Sequence, residues 1–239
     1  MFVRSEMNTS IKLGGRLLAV AEQVRTGVTV YDVGTDHAYL PAYLVGKGIV
    51  PRAVASDVVE GPLSRAHRTV AEAGLADRIK TTLSDGLRDV TVAPPCDIVI
   101  AGMGGDLIAR ILSEKPEIQR EDICFILQPM TKPEHLRRYL ADNGFAITRE
   151  LVAEEGKLYE ILCCRYTGKP YSLADTELLV GREGVRREDE TFLRMVEKKR
   201  STLLRAAEGK KQGGEDCSRE ETLAEALGAI LKEIEEKRL

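Results

Sequence analysis

Residues 28–41 read VTVYDVGTDHAYLP, and this stretch decides the fold that the sequence predicts. A run favourable to a β-strand leads directly into a turn with the pattern D-x-G-x-D-H, formed by Asp32, Gly34, Asp36 and His37. A helical pattern follows at once. A strand, a tight turn and a helix in this order predict the opening unit of an α/β domain.

This turn differs from the one that binds dinucleotides. In a dinucleotide-binding turn, the pattern G-x-G-x-x-G lets the backbone and the helix N-terminus approach a pyrophosphate. Here carboxylates stand at two of those places, where they repel a phosphate and attract a cation. S-adenosylmethionine suits such a turn, because its methionine end carries an ammonium and a sulfonium and no phosphate. The structural alternative is an ordinary turn in which Asp36 caps the helix.

The composition fits an enzyme that stays in the cytoplasm. The chain has 239 residues, enough for one α/β domain with a smaller appendage. No apolar run approaches the roughly 20 residues of a membrane span, and the opening MFVRSEMNTSIKLGGRL lacks the apolar centre of a signal peptide. The 5 cysteines have no C-x-x-C spacing, which favours buried thiols over a metal site. Because the net charge is only -3, a nucleic-acid site has to be a local basic patch.

Short strand candidates alternate with helical patterns, as in a parallel sheet covered by helices on both faces. The last two strands are too close for a crossover helix, so a hairpin adds an antiparallel strand. The predicted fold class is α/β with a seven-stranded mixed sheet. The predicted strands are Thr29–Val33, Ala53–Asp57, Ile79–Ser84, Asp97–Ala101, Ile123–Gln128, Phe145–Val152 and Tyr159–Tyr166. The predicted helices are Leu40–Gly48, Pro62–Ala73, Gly105–Ser113 and Lys132–Asn143.

Polar side chains follow two further strands, at the edge where open α/β sheets bind ligands. Asp57 ends the second strand, and a carboxylate there can bind both hydroxyls of a ribose. Asp85, in Ser84-Asp85-Gly86, can accept the exocyclic amino hydrogen of an adenine. Asp57 as a helix cap and Asp-Gly as a common turn pair are the structural alternatives.

The fourth strand runs into the glycine-rich sequence DIVIAGMGGDLI at residues 97–108. Gly102, Gly104 and Gly105 let another molecule approach the backbone, and Met103 offers a flexible apolar surface. Tight packing of strand against helix is the alternative. The D/N-P-P-Y/F motif that many amino-group methyltransferases carry at this strand end is absent from the sequence. A ring nitrogen is therefore favoured over an exocyclic amine as methyl acceptor.

Taken together, these segments resemble the bacterial tRNA (adenine(22)-N1)-methyltransferase family. The resemblance rests on DVGTDHAYLP at residues 32–41 followed by AGMGG at residues 101–105, and it includes ASD, SDG, LQPM and the opening LGGRL that contains Arg16. It implies a class I Rossmann-like methyltransferase that transfers a methyl group from S-adenosylmethionine to N1 of an adenine, position 22, in tRNA. The resemblance adds Arg16 to the expected cofactor contacts.

The tail predicts a second unit, residues 169–239, beside a methyltransferase domain of residues 1–168. Apolar residues at helical spacing stop at GKKQGGEDCSRE and then resume, which predicts two antiparallel helices in a hairpin of coiled-coil type. A positive run lies on the first of these helices. The structural alternative is that these residues form a solvent-exposed helix face with no binding role. The resemblance to the family favours a tRNA contact. The expected contacts are Lys198, Lys199, Arg200 and Arg205.

Four residues are candidates for a catalytic role. The acceptor N1 is neutral and its methylated product is cationic, so a nearby carboxylate, Asp36 or Asp106, would stabilise the developing charge. Gln128, at the end of the fifth strand, would read the base edge by a hydrogen bond. His37 would accept a proton or hold a structural hydrogen bond to Asp36. No metal site is expected.

Two rival functions remain open at this point. A methyltransferase that acts on another RNA, a protein or a small molecule would share the cofactor residues. A non-catalytic RNA-binding scaffold would keep the tail and could have lost the acceptor pocket. The intact Asp32, Asp57, Asp85 and AGMGG argue against it.

Overall fold

The computed structural model describes residues 11–238, and its sheet places the predicted first strand beside the fourth. The strand order is β3-β2-β1-β4-β5-β7-β6, in which β1 to β5 run parallel and β7 is antiparallel to both of its neighbours. The chain therefore changes direction across the sheet between β1 and β4, and such a switch point is where open α/β sheets bind ligands. The strands are β1 (Thr29–Val33), β2 (Ala53–Asp57), β3 (Ile79–Leu83), β4 (Cys96–Gly104), β5 (Ile123–Thr131), β6 (Phe145–Glu155) and β7 (Lys157–Tyr166).

Helices cover both faces of this sheet, because the strands are apolar on both sides. The first three helices pack on one face, and the next two pack on the other. Within residues 11–238 the helices are α1 (Gly15–Ala21), α2 (Tyr39–Gly46), α3 (Glu60–Glu72), α4 (Gly105–Ser113), α5 (Pro133–Asp142), α6 (Asp175–Val180), α7 (Glu190–Gln212) and α8 (Ser218–Arg238).

The predicted fold class, with its mixed sheet and terminal hairpin of β6 and β7, is confirmed. Two differences bear on the site. Strands β4 and β5 continue past their predicted ends, because they keep pairing across a bulge between Ala101 and Met103. Helices α1 and α6 are short and had no predicted counterpart.

The tail forms a helical hairpin that packs on the sheet edge. Helices α7 and α8 pack against each other, and their apolar core includes Val152 of β6. A charged cluster lies buried beside this core: Arg137 of α5 pairs with Glu150 and Glu160, and Lys199 of α7 pairs with Glu160. The division into residues 1–168 and 169–239 stays a prediction.

Within residues 11–238, no helix is both long and apolar enough to cross a membrane. The opening segment that was considered for targeting lies mostly in residues 1–10, outside the described residues.

Candidate cofactor and active site

A cavity of about 270 Å³ lies at the switch point between β1 and β4. Its walls come from the loop after β1, from the start of α1 and from the bulged part of β4. The residues that line it are Arg16, Leu17, Asp32, Gly34, Thr35, Asp36, His37, Tyr39, Leu40, Ala101 and Gly102. Five of the predicted cofactor residues thus meet in one place, and Thr35, Tyr39 and Leu40 join them although no role had been predicted for these three.

The loop after β1 is held in an unusual backbone conformation. Asp36 and Ala38 have φ angles of 51° and 56°, in the left-handed region that residues other than glycine rarely adopt. The contacts that hold this loop include a hydrogen bond from the Asp36 N–H to Asp57 Oδ2 at 3.2 Å and one from Arg65 Nη2 to Asp36 Oδ1 at 2.9 Å. Gly34 makes room for the Met103 side chain of β4, because a Cβ at this position would overlap Met103 Cε.

Asp32 is the buried carboxylate of the cavity, with 6% of its surface exposed. Its Oδ2 accepts a hydrogen bond from Thr35 Oγ1 at 2.5 Å. Burial raises the pKa of Asp32 to about 6, the Thr35 hydrogen bond lowers it, and the charge of Asp57 raises it further. A positively charged ligand group would bind the ionised form of this carboxylate.

Asp57 is also buried, and its two oxygens tie neighbouring loops together. Oδ1 accepts from the Val59 N–H at 3.0 Å, and Oδ2 accepts from the Asp36 N–H. Each carboxylate oxygen can accept a second hydrogen bond, so the group keeps capacity for a pair of ligand hydroxyls. The N-cap of α3 is Val59, which has no side-chain cap hydrogen bond, so Asp57 is not the helix cap that the structural alternative described.

Arg16 brings a cation to the acidic cavity. Its backbone N–H donates to Glu155 Oε2 at 2.8 Å, and its Nη1 donates to Gln128 Oε1 at 2.8 Å. The guanidinium carbon lies 5.7 Å from the centre of the Tyr159 ring. Arg16 is the one arginine or lysine among the described residues that line the cavity, so a carboxylate on a ligand would have its partner here.

Comparison with known proteins agrees with this geometry. Residues 13–162 match the methyltransferase domain family. The chain is 39% identical over 153 residues to the tRNA (adenine(22)-N(1))-methyltransferase of Bacillus subtilis, a match that spans 64% of each chain. A crystal structure of the B. subtilis M1A22 tRNA methyltransferase superposes with a TM-score of 0.74 at 30% identity, covering 95% of this chain and 98% of that one. The chain belongs to the bacterial tRNA (adenine(22)-N1)-methyltransferase family.

A second relative bears on the cofactor. A Streptococcus pneumoniae protein crystallised in complex with S-adenosyl-L-methionine has a TM-score of 0.77 and 33% identity, covering 90% of this chain and 99% of that one. The family predicted from the sequence is confirmed.

In this family member Gln128 has no free group with which to read a base. The side chain is fully buried. Its Oε1 accepts from Arg16 and from the Gly102 N–H, while its Nε2 donates to the Pro129 carbonyl and to Met130 Sδ. Both amide groups are satisfied inside the protein, where Gln128 holds Arg16. The predicted base contact would have to displace one of these partners, and it stays a prediction.

Asp106 lies apart from the residues that line the cavity. Its carboxylate accepts from Lys132 Nζ at 2.6 Å and pairs with His135 Nδ1 at 2.8 Å. The hydrogen bond from Lys132, followed by that from His135, lowers the pKa of Asp106 below its usual range. Two basic partners already occupy this carboxylate, so the structure does not support the predicted catalytic role.

The remaining glycines and the Ser84-Asp85-Gly86 turn serve packing in this structure. A Cβ on Gly105 would overlap the Lys132 carbonyl oxygen, and one on Gly104 would come within 3.1 Å of Thr131 Oγ1. Gly86 packs on Ile111 in the same way. Ser84 Oγ accepts from the Asp89 N–H. None of these residues is among the described residues that line the cavity, which favours the packing alternative.

Asp85 is paired as well. It lies 3.2 Å from Arg88 and 3.0 Å from Arg110, and the Arg110 hydrogen bond lowers its pKa. Its contact to an adenine amino group stays a prediction that has to compete with both guanidinium groups.

The four predicted RNA contacts of the hairpin differ in exposure. Lys198 and Arg205 are exposed on α7. Lys199 is not available to RNA, because its Nζ bonds to Glu160 Oε1 and to the Leu179 carbonyl. Arg200 lies against Gly228 of α8 and near Glu197. The positive run in the sequence is therefore divided between an exposed face and a partly buried face.

Proposed function

We propose that this chain transfers the methyl group of S-adenosylmethionine to N1 of adenine 22 in tRNA. The observation that carries the proposal is the set of charges at the switch point, where Arg16, Asp32 and Asp36 face one cavity. Family membership directs this chemistry to an adenine N1. The sequence match to the curated relative spans 64% of its length, so the whole activity is our proposal.

The charges and hydrogen-bonding groups of the cavity residues match those of S-adenosylmethionine. Arg16 would bind the carboxylate of the methionine part, and Asp32 and Asp36 would face its ammonium and sulfonium charges. Asp57 would accept from the ribose hydroxyls. When bound, S-adenosylmethionine supplies an electrophilic methyl group, so that the N1–C bond forms as the C–S bond breaks and the positive charge passes from sulfur to the adenine.

The main task of the protein is then to position the adenine and the cofactor, because the acceptor nitrogen needs little activation. Adenine N1 carries its own lone pair, so no side chain has to remove a proton before attack. Asp36 lies on the cavity wall with its side chain 58% exposed. Its negative charge would stabilise the cationic product, although Arg65 shares that charge. Holding N1 in line with the methyl carbon supplies the larger part of the rate.

The hairpin would carry the tRNA toward this cavity. Arg194, Lys198 and Arg205 follow at helical spacing on α7 and so share one face. Arg194 begins this basic face by pairing with Glu154 at 2.7 Å. The next residue, Glu155, accepts from the Arg16 N–H at the cavity. The basic face thus starts at the active-site edge of β6 and leads outward along the hairpin.

A methyl-transfer assay tests this function. Purified protein, labelled S-adenosylmethionine and unmodified tRNA should give labelled tRNA, and a reverse transcriptase should stop at position 22 because N1 methylation blocks the Watson–Crick edge. The matched control is the same tRNA with guanine at position 22, which should remain unlabelled.

Other outcomes separate the rival functions. Labelling of small metabolites or protein with none of tRNA would contradict the proposal and favour a different acceptor. Binding of tRNA without any transfer, although S-adenosylmethionine binds, would favour the non-catalytic scaffold.

A further inference from the structure

Two aromatic rings stand stacked at the mouth of the cavity. The rings of His37 and Tyr39 have centroids 5.1 Å apart and planes only 4° from parallel. Among the large apolar side chains that are exposed in residues 11–238, Tyr39 is the one aromatic, with 45% of its surface exposed. An aromatic ring that is partly exposed at the edge of a charged cavity can stack with a ligand ring.

The backbone that presents these rings is strained. Asp36 and Ala38, on either side of His37, both have positive φ angles. Ala38 also occupies the N-cap of α2 without a side-chain hydrogen bond, at a position where Ser, Thr, Asp or Asn would stabilise the helix. Strain of this kind persists where surrounding contacts impose it, and it clusters at ligand sites. Here it sets the direction of the two rings.

We propose that the His37–Tyr39 pair is the stacking platform for the target adenine, with Tyr39 as the contacting ring. The inference rests on the proposed function and names the residues that hold its acceptor base. Proteins that bind an unstacked RNA base commonly stack it on an aromatic side chain. His37 stacks with Tyr39, and 45% of the Tyr39 surface remains exposed to a ligand ring.

The chemistry favours a ring at this place. Methylation at N1 turns a neutral adenine into a cation, and the face of a tyrosine attracts a cation. The platform therefore binds the charged product-like state more strongly than the neutral base, which is the condition for accelerating a reaction. Asp36, whose Oδ2 lies 3.6 Å from His37 Nε2, adds a negative charge beside the same rings.

The cofactor does not need Tyr39 for its charged end. The buried Asp32 and the cation Arg16 match that end, whereas Tyr39 is on the exposed rim. A macromolecular substrate approaches from solvent and meets the rim first. The position of Tyr39 thus fits the acceptor base better than the cofactor.

The test compares Tyr39→Leu with the conservative Tyr39→Phe. In single-turnover reactions with saturating enzyme, Tyr39→Leu should slow tRNA methylation at least tenfold, and Tyr39→Phe should stay within threefold of the unchanged protein. The dissociation constant for S-adenosylmethionine, measured by calorimetry, should stay within twofold for both variants. The tRNA dissociation constant should stay within threefold, because phosphate contacts supply most of that affinity. Thermal unfolding checks that each variant folds.

Each of three other outcomes overturns the proposal of a Tyr39 ring that is supported by His37. Equal rates for Tyr39→Leu and the unchanged protein would show that no base stacks there. Weaker S-adenosylmethionine binding by Tyr39→Leu would assign the ring to the cofactor. A tenfold loss in His37→Phe, which keeps the stacked ring, would give the imidazole a hydrogen-bonding role instead of a supporting one. If the unchanged protein labels no tRNA, the proposed function itself fails, and this result is separate from the three above.

Discussion

At the scale of single residues, the acidic turn and the strand-end carboxylate were predictable, because a polar residue at the end of a parallel strand has few structural uses. Asp32, Asp36 and Asp57 lie together as that rule requires. Gln128 and Lys199 were not predictable. A glutamine at a strand end and a lysine in a basic run look the same in sequence whether they face solvent or a buried partner. Only the tertiary contacts of Arg16 and Glu160 decide the matter.

The raised pKa of Asp32 gives the cofactor affinity a pH dependence. Binding of the ammonium end requires the ionised carboxylate, and Asp32 takes up a proton below about pH 6. We therefore expect the dissociation constant for S-adenosylmethionine to rise by up to tenfold for each pH unit below about 6. Calorimetry between pH 5 and pH 8 measures this dissociation constant. Asp32→Asn should bind more weakly at pH 8 and lose this dependence, and an unchanged profile in that variant would assign the titration to another group.

Asp32 also affects the stability of the ligand-free protein. As the pH rises, its ionisation strengthens cofactor binding but destabilises the ligand-free fold. The folded pKa lies above the ordinary value of 3.8, so the unfolded chain releases the proton first as the pH rises. Asp32 consequently destabilises the ligand-free fold increasingly between about pH 4 and pH 6, and fully above that range. Asp32→Asn should stabilise the ligand-free protein at pH 8 by on the order of 3 kcal/mol in urea unfolding. A loss of stability would show that this carboxylate is ionised at little cost.

At the scale of elements, every strand was predicted from its apolar run, because a strand that is buried on both faces has a nearly continuous apolar sequence. The ends of β4 and β5 were missed, because pairing beyond Ala101 depends on a bulge that no local pattern announces. Helix α1 was missed for a different reason. It has seven residues and its N-cap is Gly14, without a side-chain hydrogen bond, so neither length nor capping marks it.

The charged cluster between the sheet edge and the hairpin is the element-scale contact with the clearest energetic consequence. Lys199→Met would leave Glu160 with Arg137 as its remaining partner and the Leu179 carbonyl without its lysine donor. Removing one partner of a buried ion pair costs about 3 kcal/mol, which urea unfolding would measure. The control is Lys198→Met, one position away on the exposed face, with an expected change within about 0.5 kcal/mol. Equal effects of the two substitutions would mean that the cluster does not hold the hairpin.

At the scale of the whole molecule, the buried side of the positive run fixes the hairpin, and the exposed side remains free for a polyanion. Lys198 and Arg205 are seven residues apart and so lie on one face, which Arg194 extends to the active-site edge. The cavity and this face therefore adjoin at the end of β6, where Glu155 contacts Arg16 and Glu154 contacts Arg194. The sequence predicted both parts, but it could not separate Lys198 and Arg205 from Lys199 and Arg200.

That separation defines the last prediction. Replacing Lys198 and Arg205 together with Gln should weaken tRNA binding and lower its salt slope by roughly two, one for each lost phosphate contact, with cofactor affinity unchanged. Binding titrations at several salt concentrations measure this slope. The control variant, Lys47→Gln with Lys232→Gln, removes the same charge from exposed positions after α2 and on α8. An equal fall in slope for both variants would reflect net charge alone. An unchanged slope in the first would mean that tRNA reaches the cavity by another surface and that this face of α7 is only solvated.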